Sequence, residues 1–261
     1  MILQKEVSLI MFHYKKGEYM ELLKDIYLVG SGEFGISDSF DCHVYLVDGG
    51  DDAVLIDCGV GRNPQRIMDN IMKYVPTERV SRSLVTHVHA DHCGGAPFWQ
   101  SQGIKVWVPK GEATLLENEK EELLTGFAMA KKAEAYPEDC SYTFFLPDAI
   151  INAEDIIRVG RYEISTIHVT GHSEGLLCYL LDTGEKRILF CSDYLFAKGS
   201  IGLLNCPGSH LAGYRRDIGK LAALEIDVLL PGHRMPVLTE GQAHIDQAIH
   251  NLSLAFTPPT F

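Results

Sequence analysis

The stretch Thr86-His87-Val88-His89-Ala90-Asp91-His92 brings three imidazoles and a carboxylate together, directly after the apolar run Ser83-Leu84-Val85, which predicts a strand. Neutral imidazole is a common ligand for zinc and iron, and two His residues two positions apart on an extended turn can aim at one point. His87 and His89 are such a pair, whereas Asp91 and His92 follow where the chain turns into a helix. The stretch therefore predicts two metal ions rather than one. The alternative is a His-rich surface loop.

Length and charge limit the classes of function. The chain has 261 residues, of which 46% are hydrophobic, and this is enough for the core of one large α/β domain. Its formal net charge is −12, so it lacks the basic surface that nucleic-acid-binding proteins present. We therefore expect a small-molecule substrate and no nucleic-acid partner.

Cysteine usage and hydropathy predict the compartment. The seven cysteines include no C-x-x-C pair, which is typical of reduced thiols in a cytoplasmic protein. The N-terminal residues do not form a secretory signal, and no apolar run approaches the roughly 18 residues of a membrane helix. We expect a cytoplasmic protein that binds no membrane.

The order of the predicted elements indicates the fold class. Residues 1–19 are predicted to be an N-terminal extension or an edge hairpin, and residues 20–261 a single domain. Short strands joined by hairpin turns, such as the turn at Asp48–Asp52, come first, and strands interleaved with helices follow. This order fits an α/β (α+β) fold in which two packed sheets are covered by helices on both outer faces.

A charged, amphipathic segment at about 111–145 is predicted to be a helical insertion in this domain. Its apolar stripe suits a lid over the site, a subunit contact in a homodimer, or ordinary core packing. Periodicity does not distinguish these interpretations, because it does not report what an apolar face touches.

Three more predicted strands end in a residue that can bind a metal. The sequences that follow them are Thr170-Gly171-His172, Ser192-Asp193 and Pro231-Gly232-His233. If these strands run side by side with the strand before His87, all four ends open on one edge, and loops at the ends of a rigid sheet hold ligands with little loss of entropy. With the first motif they make seven candidate ligands, enough for two ions that share a bridging carboxylate. His43 and His210 are candidates for the rim of this site.

These motifs, in this order, resemble the metallo-β-lactamase superfamily, as does the strand that ends at Leu55-Ile56-Asp57-Cys58-Gly59. The resemblance runs from about Ile26 to His233 and implies a four-layer αββα sandwich, the metallo-β-lactamase fold. It implies two zinc ions per chain, with iron or manganese able to occupy the same sites. The implied ligands are His87, His89 and His172 for one ion, Asp91, His92 and His233 for the other, Asp193 as the bridge, and Asp57 as a support behind the ligands.

The implied activity is hydrolysis of an ester, thioester or lactone by a metal-bridging hydroxide, with Asp91 orienting the water and later carrying its proton. The second half is most similar to the glyoxalase-II-like hydrolases, through Ser192–Gly202. Acyl-homoserine lactonases place a Tyr three residues after the bridging Asp, where this chain has Phe196; Tyr194 is a candidate donor to the leaving group. The alternatives are a ribonuclease-Z-like phosphodiesterase, an iron-dependent oxidoreductase and a non-catalytic metal-binding module.

Substrate selection is expected in the loops around the metals, because the metals supply chemistry that many substrates can use. Three segments are candidates: Gly30–Phe40, the insertion at 111–145 and Tyr194–Lys198. We expect the insertion to fold over the open edge as an apolar wall. The candidate substrate contacts are Phe34, Phe127, Tyr136, Phe196 and His210.

Overall fold

The computed structural model describes residues 20–117 and 127–260, and within them the first seven strands form one sheet in chain order. The predicted extension at 1–19 and the middle of the predicted insertion lie outside the described residues. The first four strands are antiparallel, and the remaining pairs are parallel. The strands are β1 (Met20–Leu23), β2 (Ile26–Gly30), β3 (Val44–Asp48), β4 (Ala53–Ile56), β5 (Val80–Leu84), β6 (Lys105–Pro109) and β7 (Ala149–Ile151).

The second sheet has the order β14-β11-β10-β9-β8 and is antiparallel except for the parallel pair β11 and β14. A two-stranded ribbon, β12 with β13, follows its fourth strand in the chain. The strands are β8 (Ile156–Val159), β9 (Tyr162–His168), β10 (Leu177–Asp182), β11 (Arg187–Ser192), β12 (Leu195–Phe196), β13 (Ser200–Ile201) and β14 (Val228–Pro231).

Helices cover both sheets. They are α1 (Pro64–Ile71), α2 (Ala90–Cys93), α3 (Ala96–Ser101), α4 (Lys110–Glu117), α5 (Phe127–Lys132), α6 (Leu211–Asp217) and α7 (Gly241–Ser253). None of these described helices is long and apolar enough to cross a membrane. Helix α7 ends at Ser253, and the side chain of Phe256 beyond it is 81% exposed.

Alternation along single strands builds the layers, because successive side chains of a strand point to opposite faces. In β3, Val44 and Leu46 pack in a cluster with residues of α1, α3 and α4, whereas Tyr45 and Val47 pack between the two sheets. In β11, Phe190 joins the cluster between the sheets, and the outer face packs against α6 and α7. The fold is therefore the expected αββα sandwich.

Candidate metal centre

Loops from both sheets meet at one edge of the sandwich, where β5, β9, β11 and β14 end. The amide of Leu177 in the second sheet donates to the Thr86 carbonyl at 3.0 Å. The Tyr45 hydroxyl, in the first sheet, donates to the Pro231 carbonyl at 2.6 Å. The first bond joins the residue before His87 to the second sheet. The second bond joins the end of β14, before His233, to the first sheet. The expected convergence of strand ends is therefore present.

Three ring nitrogens form the first group of candidate ligands. The Nε2 atom of His87 lies 3.0 Å from Nδ1 of His89 and 3.1 Å from Nε2 of His172, and the last two atoms are 3.0 Å apart. The rings of His87 and His172 are fully buried. Burial, with a contribution from the neighbouring His172, lowers the pKa of His89 to about 3. Three neutral imidazoles therefore face one point.

The environment of His172 decides which of its nitrogens carries a lone pair toward that point. Its Nδ1 lies 2.5 Å from the Gly202 carbonyl, which can only accept, so Nδ1 donates and Nε2 has the lone pair. His92 is arranged in the same way, with Nδ1 2.8 Å from Oδ2 of Asp57. Its buried Nε2 has no hydrogen-bond partner among the described residues.

The second group combines two imidazoles and a carboxylate. Oδ2 of Asp91 lies 2.9 Å from Nε2 of His233 and 3.6 Å from Nε2 of His92. Burial opposes ionisation of Asp91, but His92 and His233 outweigh it and lower its pKa to about 2. Burial would also lower the pKa of His233, but Asp193 and Asp91 raise it above its ordinary value. The field at this group therefore favours a cation.

Asp193 lies between the two groups. Its Oδ2 is 3.7 Å from Nε2 of His172 in the first group and 3.5 Å from Nε2 of His233 in the second. Its Oδ1 is 3.5 Å from Nε2 of His92 and has no hydrogen-bond partner among the described residues. One carboxylate thus faces both groups.

Asp57 supports this arrangement from behind. Besides the bond to His92, its carboxylate accepts the Thr86 amide at 2.7 Å and the Thr86 hydroxyl at 3.0 Å. It therefore fixes both the tautomer of His92 and the start of the loop that carries His87.

The donor set fits a divalent metal. Nitrogens bound to one tetrahedral zinc at about 2.0–2.1 Å would lie about 3.3 Å apart, close to the separations in the first group. Imidazole and carboxylate together suit zinc, iron and manganese. The unpartnered buried atoms of His92 and Asp193 are also what a coordinating ion would satisfy.

A cavity of about 410 Å³ opens on these residues, and four of the candidate ligands reach it: His89, Asp91, Asp193 and His233. Its wall comes from α5 with the turn after it, and from the segment between β13 and α6. The wall residues are Met129, Ala130, Ala133, Tyr136, Leu204, Asn205 and Cys206.

Tyr136 is the substrate-contact candidate that lies in this wall. Its ring centroid is 5.3 Å from that of Phe127 and 5.5 Å from that of Phe40. Burial, with a contribution from Asp91, raises the pKa of Tyr136 far above its usual value, so the hydroxyl keeps its proton. Phe127 itself is buried against Ala90 and supports Tyr136 from behind.

Two further candidates lie in the core instead of the cavity wall. Tyr194 is fully buried, and its ring stacks on Tyr214 of α6 with centroids 4.8 Å apart. Its amide donates to the Cys191 carbonyl, a turn that sends the side chain behind the second sheet. Phe196, in β12, is 2% exposed. We therefore withdraw the leaving-group role expected of Tyr194 and the substrate contact expected of Phe196.

The remaining rim candidates have other neighbours. His210 caps α6 by accepting the Gly213 amide at Nδ1, 2.9 Å away, and its Nε2 lies 3.3 Å from Glu174. Phe34 stacks on the buried ring of His43 at 5.2 Å, behind His233. Neither His210 nor Phe34 lines this cavity, and their substrate contacts stay predictions.

Residues outside the predicted set also hold the ligand loops. Asp217 of α6 accepts the Thr170 amide at 3.0 Å and the Thr170 hydroxyl at 2.6 Å, as Asp57 does for Thr86. The shared signal is a Thr shortly before a ligand His, whose amide and hydroxyl both need an acceptor. Leu204, Asn205 and Cys206 carry no such signal.

A family model described as the metallo-beta-lactamase superfamily matches residues 38–233. The chain belongs to the metallo-β-lactamase superfamily. It is an enzyme of that superfamily, a metal-dependent hydrolase, and its His and Asp clusters are suited to a divalent metal.

Four of the relatives found carry the name of a thioesterase, and three of these are MBLAC2 proteins. The acyl-coenzyme A thioesterase MBLAC2 of Homo sapiens is 26% identical over 227 residues, which cover 78% of this chain and 79% of that protein. The atrochrysone carboxyl ACP thioesterase of Aspergillus fumigatus is 26% identical over 213 residues, which cover 79% of this chain and 55% of that protein.

Solved metallo-β-lactamases share the fold. BJP-1 of Bradyrhizobium japonicum aligns with a TM-score of 0.66 at 23% identity, covering 90% of this chain and 92% of its own. FEZ-1 of Legionella gormanii aligns with a TM-score of 0.67 at 16% identity, covering 90% and 94%.

Proposed function

We propose that this metallohydrolase cleaves acyl thioesters into a carboxylic acid and a thiol, using two divalent ions that are zinc by default. The observation that carries the proposal is the position of Asp193, whose carboxylate faces both ligand groups. The proposed ligands are those named from the sequence. The thioesterase names of the relatives support the substrate class.

Bound divalent ions would supply Lewis acidity, which lowers the pKa of water and polarises a carbonyl oxygen. The chain's own residues orient the reactants. Asp91 faces the cavity as an ionised carboxylate and is the proposed acceptor of a proton from the attacking water. The protonated Tyr136 hydroxyl is the proposed hydrogen-bond donor to the substrate, because Tyr136 lines the cavity that four of the candidate ligands reach.

The wall suits an apolar acyl group. Met129 and Ala130 of α5, Ala133 of the turn after it and Leu204 all line the cavity. Burial of apolar area contributes roughly 25 cal/mol per Å², so an alkyl chain against these residues gains affinity. The wall also supports the lid interpretation of the insertion, for the part that the structure describes.

A cytoplasmic location, a small-molecule substrate and a homodimer belong to this proposal as well. All seven cysteines are free, which supports a reducing compartment. Gel filtration with light scattering tests the homodimer. A monomer at the protein concentration of the activity assay would overturn the proposed dimer.

The main test compares substrates on the purified enzyme. Thiol release from acyl-coenzyme A thioesters of increasing chain length is measured beside hydrolysis of lactones, simple oxygen esters and a phosphodiester. We expect kcat/KM for the best thioester to exceed that for the other classes at least tenfold. Preference for the phosphodiester would overturn the proposal in favour of ribonuclease-Z-like chemistry.

Elemental analysis tests the metal content separately. We expect about two ions per chain in fully loaded protein, because the groups offer two sets of donors with a shared carboxylate. One ion or none would overturn the dinuclear site.

A further inference from the structure

Glu112, in the first turn of α4, is a buried acid that no step of the proposed chemistry uses. Its side chain is 1% exposed. Oε1 accepts the Ser173 hydroxyl and the Gly175 amide, both at 2.7 Å. Oε2 accepts the Val88 amide at 3.0 Å. One carboxylate therefore satisfies three donors.

These donors belong to the two loops that carry the first ligand group. Val88 lies between His87 and His89, in the loop after β5 of the first sheet. Ser173 directly follows His172, in the loop after β9 of the second sheet. Glu112 thus joins the backbones that hold all three imidazoles.

The packing around α4 is built for this contact. A Cβ added at Gly175 would lie 2.6 Å from the Glu112 amide nitrogen, and one added at Gly111 would lie 2.8 Å from the Gly175 Cα. Such distances do not occur in folded proteins, so glycine at both positions permits the close approach. Ala113 and Leu116 anchor the same helix in the core.

The chemistry of the contact requires a carboxylate of this length. Burial raises the pKa of Glu112, and the hydrogen bonds from Ser173, Val88 and Gly175 oppose that rise. Each oxygen accepts a backbone N–H, and a glutamine offers only one acceptor oxygen. A glutamine would therefore leave at least one of the two amides facing an NH₂ group.

We propose that Glu112 is a positioning residue that sets the spacing of His87, His89 and His172, and with it the metal affinity of that group alone. The inference rests on the proposed dinuclear site. Asp57 orients His92 of the second group through its bond to Nδ1, and it contacts the first group only at Thr86, before His87. Partners behind ligands typically change metal affinity 10–100-fold when they are replaced.

The test measures zinc binding to metal-free protein in competition with a chelator, in the wild type and in Glu112→Gln. We expect two binding events in the wild type, one of which weakens about 10–100-fold in the variant. Asp148→Asn is the matched control, because Asp148 also accepts a backbone amide, that of Val106 at 2.8 Å, away from the ligand loops. Its two affinities should match the wild type.

Two backgrounds identify the affected group. In His233→Ala, which disables the second group, Glu112→Gln should still weaken the remaining event. In His89→Ala, which disables the first group, it should change nothing. An equal loss in both backgrounds would overturn the inference, since that is what a general structural role predicts.

If Glu112→Gln does not fold, the same zinc titration is made with Ser173→Ala. It removes one of the three donors and should weaken the same event by a smaller factor; unchanged affinity would overturn the inference. If the wild type binds no zinc, the proposed function fails. If the wild type binds two ions and Glu112→Gln matches it, only the role of Glu112 fails.

Discussion

The metal centre and the cavity wall lie side by side but are built differently. The rings of His87, His92 and His172 are fully buried, and each has its second nitrogen within hydrogen-bonding distance of another group. In the wall, Met129 is 41% exposed and Ala133 lies on the surface of a turn. The ligands are therefore held by loops at the ends of the sheets, whereas part of the wall comes from the segment between β6 and β7 of the first sheet. We expect changes in that segment to alter substrate preference without disturbing the ligands.

The largest effect is expected where the chemistry is fixed. Asp193→Ala removes the carboxylate that faces both groups, so two bound ions would lose the side chain proposed to hold both of them and the charge that would offset their repulsion. We expect bound metal to fall and kcat/KM to drop on the order of 1,000-fold or more, the scale seen when a main stabilising group leaves an active site. Elemental analysis and thioester kinetics measure the two losses.

Asp182→Ala is the control for this change, because Asp182 ends β10 with a side chain that is 60% exposed. It should retain metal and turnover. An Asp193→Ala enzyme that kept both ions and near-normal turnover would contradict the assigned bridge.

A smaller and more selective effect is expected in the wall. Ala133→Leu adds three carbons to a residue that lines the cavity, and each buried CH₂ corresponds to about 0.8 kcal/mol. We expect kcat/KM for long acyl thioesters to fall about tenfold while short ones change little, because the added volume takes the space of the chain end.

Ala135→Leu, in the same segment but outside the cavity lining, should leave the chain-length profile unchanged. A uniform loss over all chain lengths in Ala133→Leu would mean that the wall affects the metal centre, and the separation of the two regions would be wrong.

The same contrast explains what could be predicted from the sequence. The convergence of the candidate ligands that directly follow apolar strands was predictable, because the position of a strand end in a sheet places the residue that follows it. Tyr194 and Phe196 were misplaced, because adjacency to Asp193 does not give the direction of a side chain. The Tyr194 amide bonds back to Cys191, and the resulting turn directs the ring into the core. Hydropathy does not distinguish an aromatic residue in the core from one that lines a cavity.

The smallest effect concerns the pH dependence of stability. Replacing a candidate ligand imidazole would also remove metal, so a histidine away from the ligands is the better test. His244 of α7 lies outside the centre and the wall, and its Nδ1 accepts the Lys198 amide at 2.7 Å. Burial lowers its pKa from 6.5, so below that pH the folded state binds fewer protons than the unfolded state. This contribution to stability is therefore present above pH 6.5 and is lost as the pH falls below it. Asparagine can accept the same amide but does not titrate.

We expect the free energy of unfolding to fall more steeply in the wild type than in His244→Asn as the pH is lowered from 7.5 to 5.5. Any excess stability of the wild type at pH 7.5 should therefore be smaller at pH 5.5. Urea unfolding of metal-free protein at the two pH values measures the difference, and metal release then plays no part. Parallel curves would show that His244 titrates normally in the folded state. The pH dependence of stability would then arise in the centre itself, where burial also lowers the pKa values of His87, His89 and His172.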